Sequence, residues 1–206
     1  MLWLYDESIA DDLRKSFNTS VIHPYVKVID PDVNLSIAAQ IQNDNISFPI
    51  ICVVRDDNYQ VDTDLTNFTA MHKGVATVID NKTNNIYYEK SMPIKLGYSL
   101  NIIGTNTVDV DELVKEILFK YSDMYFLTIR LPYEGARKLR FGIECDRQGS
   151  IERRSGVAEM INEGTLYETV LPFQTRGVRM ITYTPKHLKT FDYDITALSP
   201  DQFQKL

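Results

Sequence analysis

The stretch from Pro93 to Arg130 constrains the fold most, because its hydrophobic period changes twice. Ile94, Leu96, Tyr98, Leu100 and Ile102 alternate with polar or small neighbours, the pattern of a half-buried strand. After the turn Gly104-Thr105-Asn106-Thr107, the residues Val110, Leu113, Val114, Ile117, Leu118 and Tyr121 recur at helical spacing, so 109–121 is predicted as a helix with one apolar face. Asp109 stands as its N-cap with Glu112 three residues later, acids fill the first turn and Lys120 sits in the last, all favourable to a helix. Tyr125–Arg130 is rich in strand formers. The stretch therefore reads as strand, helix, strand.

The flanks extend this pattern. Ile9, Leu13 and Phe17 predict an amphipathic helix from Tyr5 to Phe17, with Asp6, Asp11 and Asp12 in its first half. Tyr25–Ile29 reads as a strand stopped by Asp30-Pro31-Asp32, and Leu35 to Ile41 as a short helix. The continuous apolar run of Phe48–Arg55 suits a strand buried on both faces, with Pro49 at its start. Gly74–Ile79 and Ile86–Glu89 flank a turn and form a hairpin that feeds into the central stretch. Leu139–Cys145 alternates and is expected to pair with Tyr125–Leu131, and Leu166–Phe173 and Val178–Thr184 are further strands. The polar segment 56–68 reads as an exposed loop, the charged, glycine-containing segment 146–164 as a mobile or partner-ordered excursion, and the tail after Pro185 contributes little to a core. The expectation is one α+β domain over residues 1–206, a largely antiparallel mixed sheet with the central helix on one face and extended loops or arms.

Composition removes several function classes. A hydrophobic content of 44% and charged content of 24% are those of ordinary globular chains. No apolar run approaches the roughly 20 residues of a membrane span, and the N-terminus lacks the features of a secretory signal, so synthesis in the cytoplasm and no membrane partner are expected. A net charge of -6 argues against a dedicated nucleic-acid binder. Its distribution is uneven, however. Between 130 and 154 seven basic residues outnumber four acidic ones, and Arg137, Lys138, Arg140, Arg153 and Arg154 form a candidate surface for a partner or for DNA.

Chemistry that needs converging groups is hard to find. Cys52 and Cys145 lie in separate strand-like settings that suit buried thiols. His23, His72 and His187 are isolated, with no metal-ligand spacing, and no nucleophile elbow or phosphate loop is present. The turn at 104–107 precedes a helix N-terminus, yet Asp109, Asp111 and Glu112 already neutralise that end. Asp56, Asp57, Asp62 and Asp64 lack the glycine and distal glutamate of a calcium loop and read as a solvated loop. No cofactor, metal or catalytic residue is assigned. Twelve tyrosines exceed the needs of a core and suit wet interfaces as well.

Pro93 to Ile102, Thr105-Asn106-Thr107 and Asp111 to Tyr121 together resemble a segment of tail-completion and tail-terminator proteins of tailed bacteriophages. In that group a strand ending in a Thr-Asn or Lys-Asn turn leads into a helix closing with Glu-Ile-Leu-x-x-Tyr/Phe. The opening Met1-Leu2-Trp3-Leu4-Tyr5-Asp6 and the run Phe48-Pro49-Ile50 also look like prophage structural proteins of Gram-positive hosts. The resemblance covers about a fifth of the chain. It implies a virion protein of the neck or tail with no active site, a homohexameric ring that stops tail tube or sheath growth and joins the head connector. Under this reading the basic positions face DNA in transit. The long arms and N-terminal helix depart from the family pattern. Two alternatives come from other classes: a small metal-dependent hydrolase using the acids of 56–64 with His72, and a monomeric adaptor binding one partner through the acidic loop.

Overall fold

A computed structural model describes residues 1–29, 48–62, 75–80, 85–131, 138–157, 165–181 and 186–187. Among them are two helices, α1 (Trp3–Phe17) and α2 (Thr107–Lys120). The first six strands are β1 (Tyr25–Ile29), β2 (Ile50–Arg55), β3 (Gln60–Val61), β4 (Val75–Asp80), β5 (Asn85–Lys95) and β6 (Gly97–Gly104). After α2 come β7 (Tyr125–Arg130), β8 (Lys138–Cys145), β9 (Glu152–Val157), β10 (Thr165–Arg176), β11 (Val178–Ile181) and β12 (Lys186–His187).

A seven-stranded sheet runs β1-β2-β6-β10-β8-β7, with β9 pairing along β10. Only the β1–β2 pair is parallel, so the sheet is mixed but largely antiparallel and the fold is α+β. Period-2 alternation sends Ile51, Val53, Tyr98, Leu100, Ile102, Leu171, Phe173, Phe141, Ile143, Leu127 and Ile129 into one buried cluster. Both helices lie on it, through Ile9, Leu13 and Phe17 of α1 and Val110, Leu113 and Ile117 of α2. Helix α2 packs on the central strands β6 and β10, whereas α1 touches β1, β2 and β7. Because β1 and β7 end the strand order on opposite sides, one helix reaches both only where the sheet curls around it.

Two strands leave this sheet together. Leu96 alone separates β5 from β6, and Gly177 alone separates β10 from β11. The crossing is pinned where they meet: Thr175 N–H donates to the Leu96 carbonyl at 3.0 Å, and Leu96 N–H donates to Thr175 Oγ1 at 3.1 Å. Gly177 takes φ of 75°, a left-handed backbone that a side chain would strain. Beyond the crossing, β3, β4, β11 and β12 all pair with β5.

The strands at 25–29, 125–130 and 139–145, the pairing of the last two, and the doubly buried run at 50–55 agree with the sequence pattern. Several expectations are corrected. The single strand over 94–102 is split between two sheets, because alternation is insensitive to a change of pairing partner. Asn106, not Asp109, caps α2: its Oδ1 accepts from Val108 N–H at 3.0 Å, which leaves Asp109 in the first turn. The 56–68 excursion contains β3 and a buried Asp62, and the 146–164 excursion contains β9. Part of each is therefore paired strand, yet residues 56–61 and 150–154 remain exposed, as the polarity of the sequence predicts. The expected helix at 35–41 lies outside the described residues.

Helix α1 is a strut as well as an amphipathic helix. Asp6 is buried and accepts from the Tyr98 hydroxyl at 2.7 Å while pairing with Arg55 at 2.6 Å. Asp12 accepts from the Tyr121 hydroxyl at 2.6 Å and pairs with Lys120 at 2.5 Å. The Tyr5 hydroxyl donates to the Arg179 carbonyl at 2.8 Å and accepts from its N–H at 3.1 Å, linking α1 to β11. Tyr5, Tyr98 and Tyr121 are thus core residues whose polar ends are satisfied. Burial raises all three phenol pKa values, and for Tyr98 and Tyr121 the neighbouring carboxylate adds to the rise.

Candidate functional site

The basic residues of 130–154 separate into two groups once the strands pair. Strand β8 carries Leu139, Phe141 and Ile143 on the helix side, which places Lys138, Arg140, Gly142 and Glu144 on the opposite face. Register then adds residues from both neighbours: Arg130 stands opposite Lys138, Thr128 opposite Arg140, Phe126 opposite Gly142, and Arg176 also opposite Gly142 from β10. Arg130, Lys138, Arg140 and Arg176 therefore share one face across three adjacent strands.

The guanidinium of Arg140 lies over the Phe126 ring, 4.1 Å from its centroid, and among the described residues it makes no ion pair. Beside it, Met124 packs directly over Gly142, where a Cβ would run into its Sδ. Arg176 is held by Glu144 at 2.9 Å, and Gln174 also donates to Glu144. Phe126, Arg140, Gln174 and Arg176 border a cleft of about 530 Å³ at the crossing between the sheets, where Lys95 pairs with the buried Asp62 at 3.5 Å. The cleft holds more positive than negative charge and is walled by Phe126 and Phe141.

Arg153 and Arg154 belong elsewhere. Strand β9 pairs farther along β10, with Arg153 opposite Thr169 and Arg154 opposite Glu168. Arg153 forms an ion pair with Asp111 of α2, and Arg154 pairs with Glu152 at 2.5 Å. Both are tied to acids, so they do not extend the strip on β8. Arg137 lies outside the described residues. Sequence reading missed Arg130 and Arg176 as members of the strip; the signal was strand alternation combined with a register that sequence does not state.

Among the described residues the acids of the loop are not brought together. Asp56 lies beside Gly97 and accepts from Ser99 at 3.5 Å, its pKa raised by burial first. Asp57 is exposed, Asp62 is turned inward to Lys95, and Asp64 and His72 lie outside the described residues. Among the described residues no three His, Cys, Asp or Glu side chains are grouped to hold a metal ion. His23 Nδ1 sits 3.1 Å from the Phe17 carbonyl at the end of α1. Cys52 is buried and free, its thiol pushed up to about 12 by desolvation, and Cys145 is free and half-buried. No helix among the described residues is long and apolar enough to cross a membrane.

No protein-family model matches the chain, and no curated protein does either. Among solved structures it is similar to a chain in the tail of an empty gene transfer agent particle, determined by helical refinement with C6 symmetry. The two are 16% identical, the match covers 64% of this chain and 79% of the other, and the TM-score is 0.24. So loose a superposition does not establish a shared fold.

Proposed function

We propose that this chain is a non-enzymatic structural protein of a phage-type tail or neck, and that it works by closing into a homohexameric ring. The ring ends growth of the tail tube or sheath and joins it to the head connector. The observation that carries the reading is the strip of Arg130, Lys138 and Arg140 on the sheet face away from both helices. An acidic chain that keeps three cations together on an ordered sheet, with Arg140 stacked on Phe126, presents a surface for a polyanion. In the ring this strip faces the channel through which DNA passes. The reading rests on these residues and on the resemblance in 93–121, not on the superposition with the tail structure. Growth stops because one face of the ring matches the tube and the other matches the connector, so the next layer finds no equivalent face.

Native mass spectrometry and negative-stain microscopy of the full chain, alone and with tail tubes, test the reading. Rings bound at tube ends are expected. A chain that stays monomeric at high concentration and ignores tubes would overturn it.

A further inference from the structure

We propose that the cleft at the sheet crossing takes the base of an unpaired nucleotide while the strip beside it carries the phosphates, so that the DNA this chain holds is single-stranded; this deepens the reading of the strip as a DNA-facing surface and rests on it. Strip and cleft are continuous along β8. Lys138 and Arg140 stand two residues apart on one face, about 7 Å along the strand, and Gly142, two residues farther on, lies in the cleft. Arg140 belongs to both. A nucleotide backbone that follows β8 past Lys138 and Arg140 therefore arrives at the cleft.

The cleft differs in chemistry from the strip. Half-buried Met124 and the Phe126 ring, 51% exposed, give it an apolar wall. Its cations are not equally available: Lys95 is paired with Asp62 and Arg176 with Glu144, whereas Arg140 is exposed and makes no ion pair among the described residues. Its guanidinium is positioned by the Phe126 ring, 4.1 Å from the centroid, and not by an acid. It keeps its donors for a phosphate and its outer plane for a base.

This combination discriminates among nucleic acids. A duplex presents phosphates outward and keeps its base faces stacked, so it can use the cations but not the apolar wall. An unpaired nucleotide brings a flat apolar face together with a phosphate, and about 530 Å³ lies within the range of sites for small molecules. A basic track beside an aromatic platform is the arrangement that binds single strands without regard to sequence.

Fluorescence anisotropy of the full chain with labelled DNA tests this. A thymine strand of about 12 nucleotides is expected to bind about tenfold or more tightly than a hairpin duplex with the same number of phosphates, in about 50 mM salt, and the same strand without bases to lose that advantage. Phe126→Ala should weaken the single strand about fivefold or more and leave the duplex within about twofold, with circular dichroism showing an intact fold. Arg140→Lys, which keeps the charge but not the plane, should do the same. Lys138→Gln should weaken both forms and lower the salt slope by about 0.7 to 0.9. Equal affinity for the strand, its abasic form and the duplex overturns the cleft inference and leaves the strip as a phosphate surface. Polyglutamate binding as tightly as the strand overturns it in favour of an acidic protein, and no binding of either DNA removes the DNA-facing strip as well.

Discussion

The two faces of the seven-stranded sheet are made by the same strands and behave differently. The helix face is continuous and apolar from β1 to β7, and its three large buried phenols each end on a carboxylate or a backbone group of a neighbouring element. The opposite face changes along the strand order. At β1, β2 and β6 it is a smaller apolar cluster of Ile29, Ile50, Cys52, Val54 and Ile103, and at β8 and β7 it becomes Lys138, Arg140 and Arg130. One face is committed to holding α1 and α2. The other keeps cations on rigid backbone where they are available to a partner.

Substitutions can separate these roles. The largest effect is expected from Leu13→Ala, a fully buried α1 residue: a loss of about 2 to 5 kcal/mol in chemical denaturation. Loss of less than 1 kcal/mol would mean that α1 does not close the core. Asp6→Ala, which strips the acceptor from Tyr98 and the partner from Arg55, should cost about 2 to 3 kcal/mol, at the lower end for a buried pair because Arg55 is 32% exposed. Asp6→Asn keeps an acceptor for Tyr98 and should cost less; equal losses would show that Tyr98 gains nothing from the bond.

Alkaline pH probes the helix face without substitution. The folded-state pKa values of Tyr5, Tyr98, Tyr121 and Cys52 lie above their ordinary values, chiefly through desolvation. The unfolded chain therefore releases these protons first. Their contribution is complete below about pH 9 and falls as pH rises, by up to about 1.4 kcal/mol per pH unit for each group. The denaturation midpoint should drop steeply above pH 10, and less steeply in Tyr121→Phe. Asp6 has the same sign in the acid range: its raised pKa, due first to burial against the lowering effects of Tyr98 and Arg55, removes stability as pH climbs above 3.8. The smallest stability effect belongs to the open face. Lys138→Glu with Arg140→Glu should change stability by no more than about 0.5 kcal/mol per site while lowering retention on a heparin column. A large loss of stability, or unchanged retention, would remove the distinction between the faces.

Much of the helix face was legible along the chain. Alternation at 125–130 and 139–145, helical spacing at 9, 13 and 17, and the apolar run at 50–55 each report a local period, and local periods survive in a linear sequence. Asp6 and Asp12 were legible only as acids early in a helix. Their function as acceptors for Tyr98 and Tyr121 depends on partners 92 and 109 residues away, and no local pattern marks that distance. The basic cluster shows the same limit: Lys138, Arg140, Arg153 and Arg154 are close in sequence, but pairing along β10 sends one pair to an open strip and the other to Asp111 and Glu152.

The sequence by itself determined the α+β class, most of the secondary structure and which side chains are apolar toward the core, because hydrophobic period follows directly from helix and strand geometry. Only the tertiary structure decided which strands are neighbours, where the β5–β6 and β10–β11 ribbon changes sheet, and which cations stand together. Those outcomes follow from register and long-range hydrogen bonding, in which each residue's environment is set by strands far away in the chain.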